Sequence, residues 1–296
     1  SYNSYTQVNA GTLKLGRASD GANSAIGSTS GSVSINSTGT LDLNGNSPVS
    51  GKSLSLSDGT LLNSSATDVN WIGNSIGFTT GSIRSTGGGA INLTSTTQTI
   101  NGRAGVPGNF TYYPLTVEGK VSLGGAAYLM ANTVTFTTGS NTKFTYAPSL
   151  SLPSVSTVFQ GEGDLILSPT GASPKLTLSS TNTFTGAFTV KSGVVQVSGD
   201  GVFGAATNPI TVNDGGSLSL NYSAPTTPTA FPRNISISGY GVDFTESGTP
   251  KKYGALDYAY ASGDSYYGGT ITLNGSTRFT ESGGRNLNPR GTIKTN

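Results

Sequence analysis

Residues 182–220 read NTFTGAFTVKSGVVQVSGDGVFGAATNPITVNDGGSLSL. Short runs alternate apolar and polar residues, and glycines punctuate them. A weaker copy opens the chain. There Val8, Gly11, Leu13 and Leu15 stand where Val190, Gly193, Val195 and Val197 stand later. Gly27, Val33, Ile35, Gly39, Leu41 and Leu43 then match Gly204, Ile210, Val212, Gly216, Leu218 and Leu220. The second set keeps a constant offset (210 − 33 = 177; 218 − 41 = 177). The first is offset by 182 (190 − 8), so one turn between them differs by five residues. Alternating strands that recur with glycine between them are the sequence pattern of a solenoid.

Composition narrows the alternatives. Glycine supplies 43 of 296 residues, about twice ordinary usage, and charged residues only 10%. Such a composition suits disorder only where aromatic and β-branched residues are scarce. Here Val, Ile, Leu, Phe and Tyr recur throughout, so an ordered chain is expected. No window places apolar residues at helical spacing, and good helix formers are sparse.

Strand-like units fall at 12–15, 32–35, 40–43, 53–56, 82–84, 90–93, 115–117, 120–123, 133–136 and 143–146. They continue at 164–167, 175–178, 188–190, 194–197, 210–212, 217–220, 234–237, 241–244, 270–273 and 277–279. One face of each is apolar, which means one side buried and one wet. The intervals are too short for crossover helices, which excludes a βαβ architecture. Asn44-Gly45, Asp58-Gly59, Asn101-Gly102 and Asn274-Gly275 are hairpin signals that would suit a sandwich or barrel. The internal repeat instead favours an all-β, right-handed parallel β-helix, a single β-solenoid over residues 1–296 with extruded loops. Roughly 20–25 residues per coil predicts about 13 coils, a rod on the order of 60 Å.

The inward files are read as Leu13, Leu15, Val33, Ile35, Leu41, Leu43, Leu54, Leu56, Ile91 and Leu93. In the later part they are Leu165, Leu167, Leu176, Leu178, Val195, Val197, Ile210, Val212, Leu218, Leu220, Ile235, Ile237, Ile271 and Leu273. Two stretches break the rhythm and are expected to be irregular or loop-bearing. Residues 63–78 hold the sole tryptophan, Trp71, and residues 221–267 hold seven of the 13 tyrosines.

With the residues laid out, a family resemblance emerges. Gln160-Gly161-Glu162-Gly163-Asp164-Leu165, Lys175-Leu176-Thr177-Leu178, Asn182-Thr183-Phe184-Thr185-Gly186 and Val190 with Gly193 resemble the passenger-associated β-strand repeat of bacterial autotransporters. The resemblance covers about 160–220 well and 2–45 and 230–280 more weakly. It implies a right-handed β-helix that is exported and displayed on, or released from, a bacterial surface. It implies no single activity, because the repeat is scaffold. Residues 1–296 do not include the carboxy-terminal outer-membrane barrel of the full family architecture; the expectation is either that this part was cut off or that the protein is a large surface protein that does not use one.

The chemistry is restricted by what is missing. With no histidine and no cysteine, Ser-His-Asp and Cys-His catalysis and His/Cys zinc sites are out. Glycosidase chemistry needs paired carboxylates. Only 14 acids occur; the nearest pairs are Glu162 with Asp164, and Asp257 with Asp264. A polysaccharide lyase or hydrolase is therefore the least favoured reading. No catalytic residue, metal or cofactor is assigned. Asp20 and Asp200 open corners, where an Asx-turn accounts for them better than calcium does. A net charge of +2 with scattered basic residues does not make a nucleic-acid stripe, and no apolar run is long enough to cross a membrane as a helix.

Function is expected at the ends and loops. The chain opens inside a repeat, and Ile293 lies in what reads as the start of another strand. Tyr2, Tyr5, Val8 and Ile293 are therefore expected at self-assembly ends, giving heterologous end-to-end association of an extracellular, non-enzymatic structural protein. The alternative is an adhesin that binds host or matrix glycan through Tyr253, Asp257, Tyr258, Tyr260, Asp264, Tyr266 and Tyr267.

Overall fold

The structure is a computed structural model. It describes residues 5–19, 25–27, 31–96, 99–106, 109–125, 128–137, 141–149, 152–222, 231–246, 248–260, 265–284 and 286–296. About 55% of the chain is strand, in parallel sheets stacked as a β-solenoid of about 11 turns. The chain divides into two compact units. Unit 1 is Ser1–Thr145 with Thr157–Gly163, and unit 2 is Tyr146–Ser156 with Asp164–Asn296.

In unit 1, one sheet runs Thr6–Val8, Ser32–Asn36, Ser53–Ser57, Ile76–Thr79, Thr99–Asn101, Tyr128–Met130, each strand parallel to the next. A second runs Thr12–Lys14, Thr40–Asp42, Thr60–Asn63, Ser82–Ser85, Leu115–Glu118, Thr133–Phe136, Val158–Gly161. A third joins Val69–Gly73, Ile91–Ser95 and Lys120–Gly125. In unit 2, one sheet holds Leu152–Val155, Lys175–Leu178, Gly193–Val197, Gly216–Leu220, Leu256–Tyr258 and Phe279–Thr280. Another holds Asp164–Leu167, Phe188–Val190, Ile210–Val212, Ile235–Gly239, Thr270–Thr277 and Thr292–Thr295.

The register is in-line, so like stacks on like. Val33 pairs with Leu54 and Leu54 with Ile76, 21 and 22 residues on (54 − 33; 76 − 54). Leu165, Phe188, Ile210, Ile235 and Ile271 form one file in unit 2. Burying each such side chain contributes ~1.5–3 kcal/mol. Of the residues expected to point inward, all are buried except Leu13, which is exposed, and Leu273, which is half-buried. Leu13 lies on strand Thr12–Lys14, which pairs with Thr40–Asp42 on one side and with no described strand on the other. Its file partner Leu41 is fully covered.

Fewer turns occur than the 13 expected, because two coils spend residues on hairpins. Arg103–Val106 pairs antiparallel with Asn109–Tyr112, and Val242–Glu246 with Thr249–Tyr253. The second insertion lengthens the coil from Ile235 to Ile271 to 36 residues (271 − 235). The expected strand at 241–244 is thus real, but it belongs to a hairpin and not to a coil.

The two stretches expected to be irregular or loop-bearing both hold regular strands, and the second also bears the hairpin of residues 242–253. Residues 63–78 contain strands Val69–Gly73 and Ile76–Thr79, with Val69, Trp71 and Gly73 facing inward. Glycine at one inward position and Ile72 facing out obscure the alternation. Within 221–267, strands Ile235–Gly239 and Leu256–Tyr258 are ordinary coil members, and Ser265–Tyr267 pairs in parallel with Leu287–Pro289.

The Asn-Gly and Asp-Gly signals at 44–45 and 58–59 turn corners here. Asn44 and Asp58 take positive φ (48° and 61°), the conformation that a type I′ hairpin would also have required. Asp42 makes the first corner specific: its carboxylate accepts the N–H groups of Asn44 (2.9 Å) and Ser64 (3.1 Å) and the Ser64 hydroxyl (2.7 Å).

Candidate functional site

The tyrosine-rich region of unit 2 was the expected ligand patch, and its side chains separate into inside and outside. Asp257 and Tyr258 occupy strand Leu256–Tyr258, beside Ser219 and Leu220 on Gly216–Leu220. Both are buried, as are Tyr253 and Tyr267. Tyr260 and Tyr266 are half-buried, and Tyr266 lies under the Arg290 guanidinium at 3.9 Å. Asp264 lies outside the described residues. Of the six described residues, Tyr253, Asp257, Tyr258 and Tyr267 are turned away from water, so these six do not form one surface patch.

Asp257 sits at a closed polar node. Its carboxylate accepts the hydroxyls of Ser219 (2.7 Å), Thr280 (2.6 Å) and Ser282 (2.7 Å), and the Ser282 N–H (3.2 Å). Four donors satisfy the oxygens of a carboxyl group that is wholly out of water. The hairpin of residues 242–253 lies beside this node. Phe244 stacks on Tyr253 with centroids 5.6 Å apart, and the Lys175 ammonium lies 5.8 Å from the Tyr253 ring. Arg278 reaches from the coil to the Asp243 carboxylate and to the Tyr253 carbonyl (3.0 Å). Burial raises the Tyr253 phenol, with Glu246 and Asp257 adding to it, so the hydroxyl stays protonated. Nearby, Ser217 is fully buried and its hydroxyl makes no hydrogen bond.

A second cluster in unit 2 centres on Arg233, which sequence reasoning missed. Its buried guanidinium holds the Asp200 carboxylate with two bonds (2.8 and 3.0 Å) and donates to the carbonyls of Ala205 (2.7 Å) and Gly204 (3.1 Å). It lies over the Phe203 ring at 5.4 Å, and Tyr267 donates its hydroxyl to the Arg233 carbonyl. Phe188, Phe203, Phe231 and Tyr267 follow one another with centroids 4.9–5.4 Å apart. Asp200, weighed above as an Asx-turn or calcium residue, thus anchors a guanidinium. The only sequence signal for this was a lone arginine just ahead of an inward-facing strand. Among the described residues, no three acidic groups converge as a metal site would require.

The expected end residues fall in different environments. Tyr5 is exposed, Val8 is buried in Thr6–Val8, and Tyr2 lies outside the described residues. Ile293 is 47% exposed although it is in register with buried Ile271. With Phe279, Leu256, Ile271 and Pro289 it lines a cleft of about 260 Å³. No described helix is long and apolar enough to cross a membrane.

No family model, curated protein or solved structure matches the chain.

Proposed function

We propose that the protein is a non-enzymatic structural β-solenoid that associates end to end with further copies of itself, as part of a bacterial surface fibre or giant surface protein. One observation carries this reading. Three of the exposed large apolar residues, Leu13 (39%), Phe279 (41%) and Ile293 (47%), belong to inward files. Their file neighbours Leu41, Leu256 and Ile271 are covered. Exposed apolar side chains that continue a buried file favour one more parallel strand on top of them. Joining the rung of Ile293 to the rung of Leu13 in the next copy is a heterologous contact that does not close on itself, which is the geometry of a filament.

The extracellular, bacterial setting is supported by the ordered glycines, asparagine and leucines of residues 160–193, which resemble the autotransporter passenger repeat. The glycan-binding alternative is weakened by the burial of Tyr253, Asp257, Tyr258 and Tyr267.

Sedimentation velocity and negative-stain microscopy over a concentration series test association. Growing oligomers that Ile293→Lys and Leu13→Lys each suppress are expected. Monomers at every concentration would sink the proposal.

A further inference from the structure

Lys52 follows Gly51, whose φ of 94° turns the chain into strand Ser53–Ser57 of unit 1. The backbone around it is tied down at three points. The Gly51 N–H donates to the Ile72 carbonyl (2.8 Å) and the Leu54 N–H to the Ser75 carbonyl (2.9 Å). The Lys52 carbonyl accepts the indole N–H of Trp71 at 3.2 Å. Gly73 makes room for this approach: a β-carbon there would stand 2.7 Å from the Lys52 oxygen.

The side chain is the exception. Lys52 is fully buried, and its ammonium nitrogen makes no hydrogen bond. No titratable residue occurs in its own strand, or in Ser32–Asn36, Val69–Gly73 and Ile76–Thr79 around it. The nearest acids along the chain are engaged elsewhere, Asp42 by Asn44, Ser64 and Lys14. Asp58 accepts the Thr80 hydroxyl, and Asp68 accepts the Ala90 N–H at 2.7 Å. An isolated ammonium is costly to keep out of water, so a lysine in such a place gives up its proton more readily than one in solvent. Burial accordingly lowers the Lys52 amine below its ordinary 10.5.

We propose that Lys52 is a pH-sensitive lock on this corner: uncharged, it stays inside the coil, and protonated, it draws residues 50–53 outward to water and breaks the Trp71–Lys52 contact. In the window between the lowered value and 10.5, the unfolded chain holds a proton that the folded chain does not. Stability of this region therefore rises with pH through that window and falls on acidification.

Trp71 is the sole tryptophan, and it sits on the lock, so its fluorescence reports on this corner. Urea unfolding of the full chain is followed by that signal at several pH values below 10.5. The wild-type midpoint is expected to rise with pH. Lys52→Met should unfold at higher urea at the acid end and lose the slope. Lys52→Arg, charged at every pH, should unfold earlier throughout. Equal slopes in wild type and Lys52→Met would overturn the proposal. Should neither variant fold, nitrogen NMR of the wild-type lysines decides: one amine titrating low supports the lock, and all titrating at the ordinary value refutes it.

Discussion

Gly39 lies against the carbonyl oxygen of Val8 so closely that a β-carbon at position 39 would stand 2.2 Å from it. Gly216 stands in the same relation to Val190, at 2.9 Å. These are matched positions of the internal repeat, 39 with 216 and 8 with 190. The two copies therefore share a packing contact as well as a pattern. The obstructing atoms are backbone and cannot rotate away. Gly39→Ala is expected to cost on the order of 2–3 kcal/mol, and Gly216→Ala about 1 kcal/mol, as backbone strain does. Equilibrium denaturation of both variants checks this, and a Gly39→Ala protein as stable as wild type would contradict the contact.

Arg233 ties Asp200 and the carbonyls of Gly204 and Ala205 together. Removing one partner of a fully buried ion pair costs about 3–5 kcal/mol. The Asp200 side chain is 44% exposed and keeps part of its hydration, so about 2 kcal/mol is expected for Arg233→Met. Arg233→Lys should recover little of it, because an ammonium cannot make the paired bonds. Urea midpoints by circular dichroism measure both; a full rescue by lysine would show that charge alone matters.

Asp42 sets an acid limit on unit 1. Burial by itself would raise its carboxyl, but the Ser64 hydroxyl and N–H, the Asn44 N–H and the Lys14 charge outweigh burial and hold it below 3.8. The folded value is the lower one, so its contribution is present above pH 3.8 and is lost as pH falls through the folded value. Ser64→Ala removes the strongest of these bonds. It should raise the Asp42 value and cost about 1 kcal/mol at neutral pH, shrinking as the carboxyl protonates. Carbon NMR titration of the Asp42 carboxyl reads the shift directly; an unchanged titration in Ser64→Ala would refute the account.

Much of the coil was legible residue by residue. The strands at 133–136, 164–167, 175–178, 188–190 and 210–212 have the expected bounds. Gly11 and Gly193, matched from sequence, share a φ of 69°. Such features are local: a two-residue period, a glycine where φ must be positive. The candidate site was far less legible. Tyr258 and Tyr267 looked like parts of an exposed loop, and they are core residues of unit 2. Whether a tyrosine meets water depends on which neighbour covers it, and that neighbour lies 20 or more residues away.

The amino-acid sequence by itself determined that this chain coils as parallel strands, because pleat alternation and corner glycines are written at every step. Only the tertiary structure decided which polar groups the coil encloses. Asp257 gained four donors from Ser219, Thr280 and Ser282, whereas Lys52 gained none. The cost of burying a charge depends on partners brought together across rungs, and no single segment of sequence carries them.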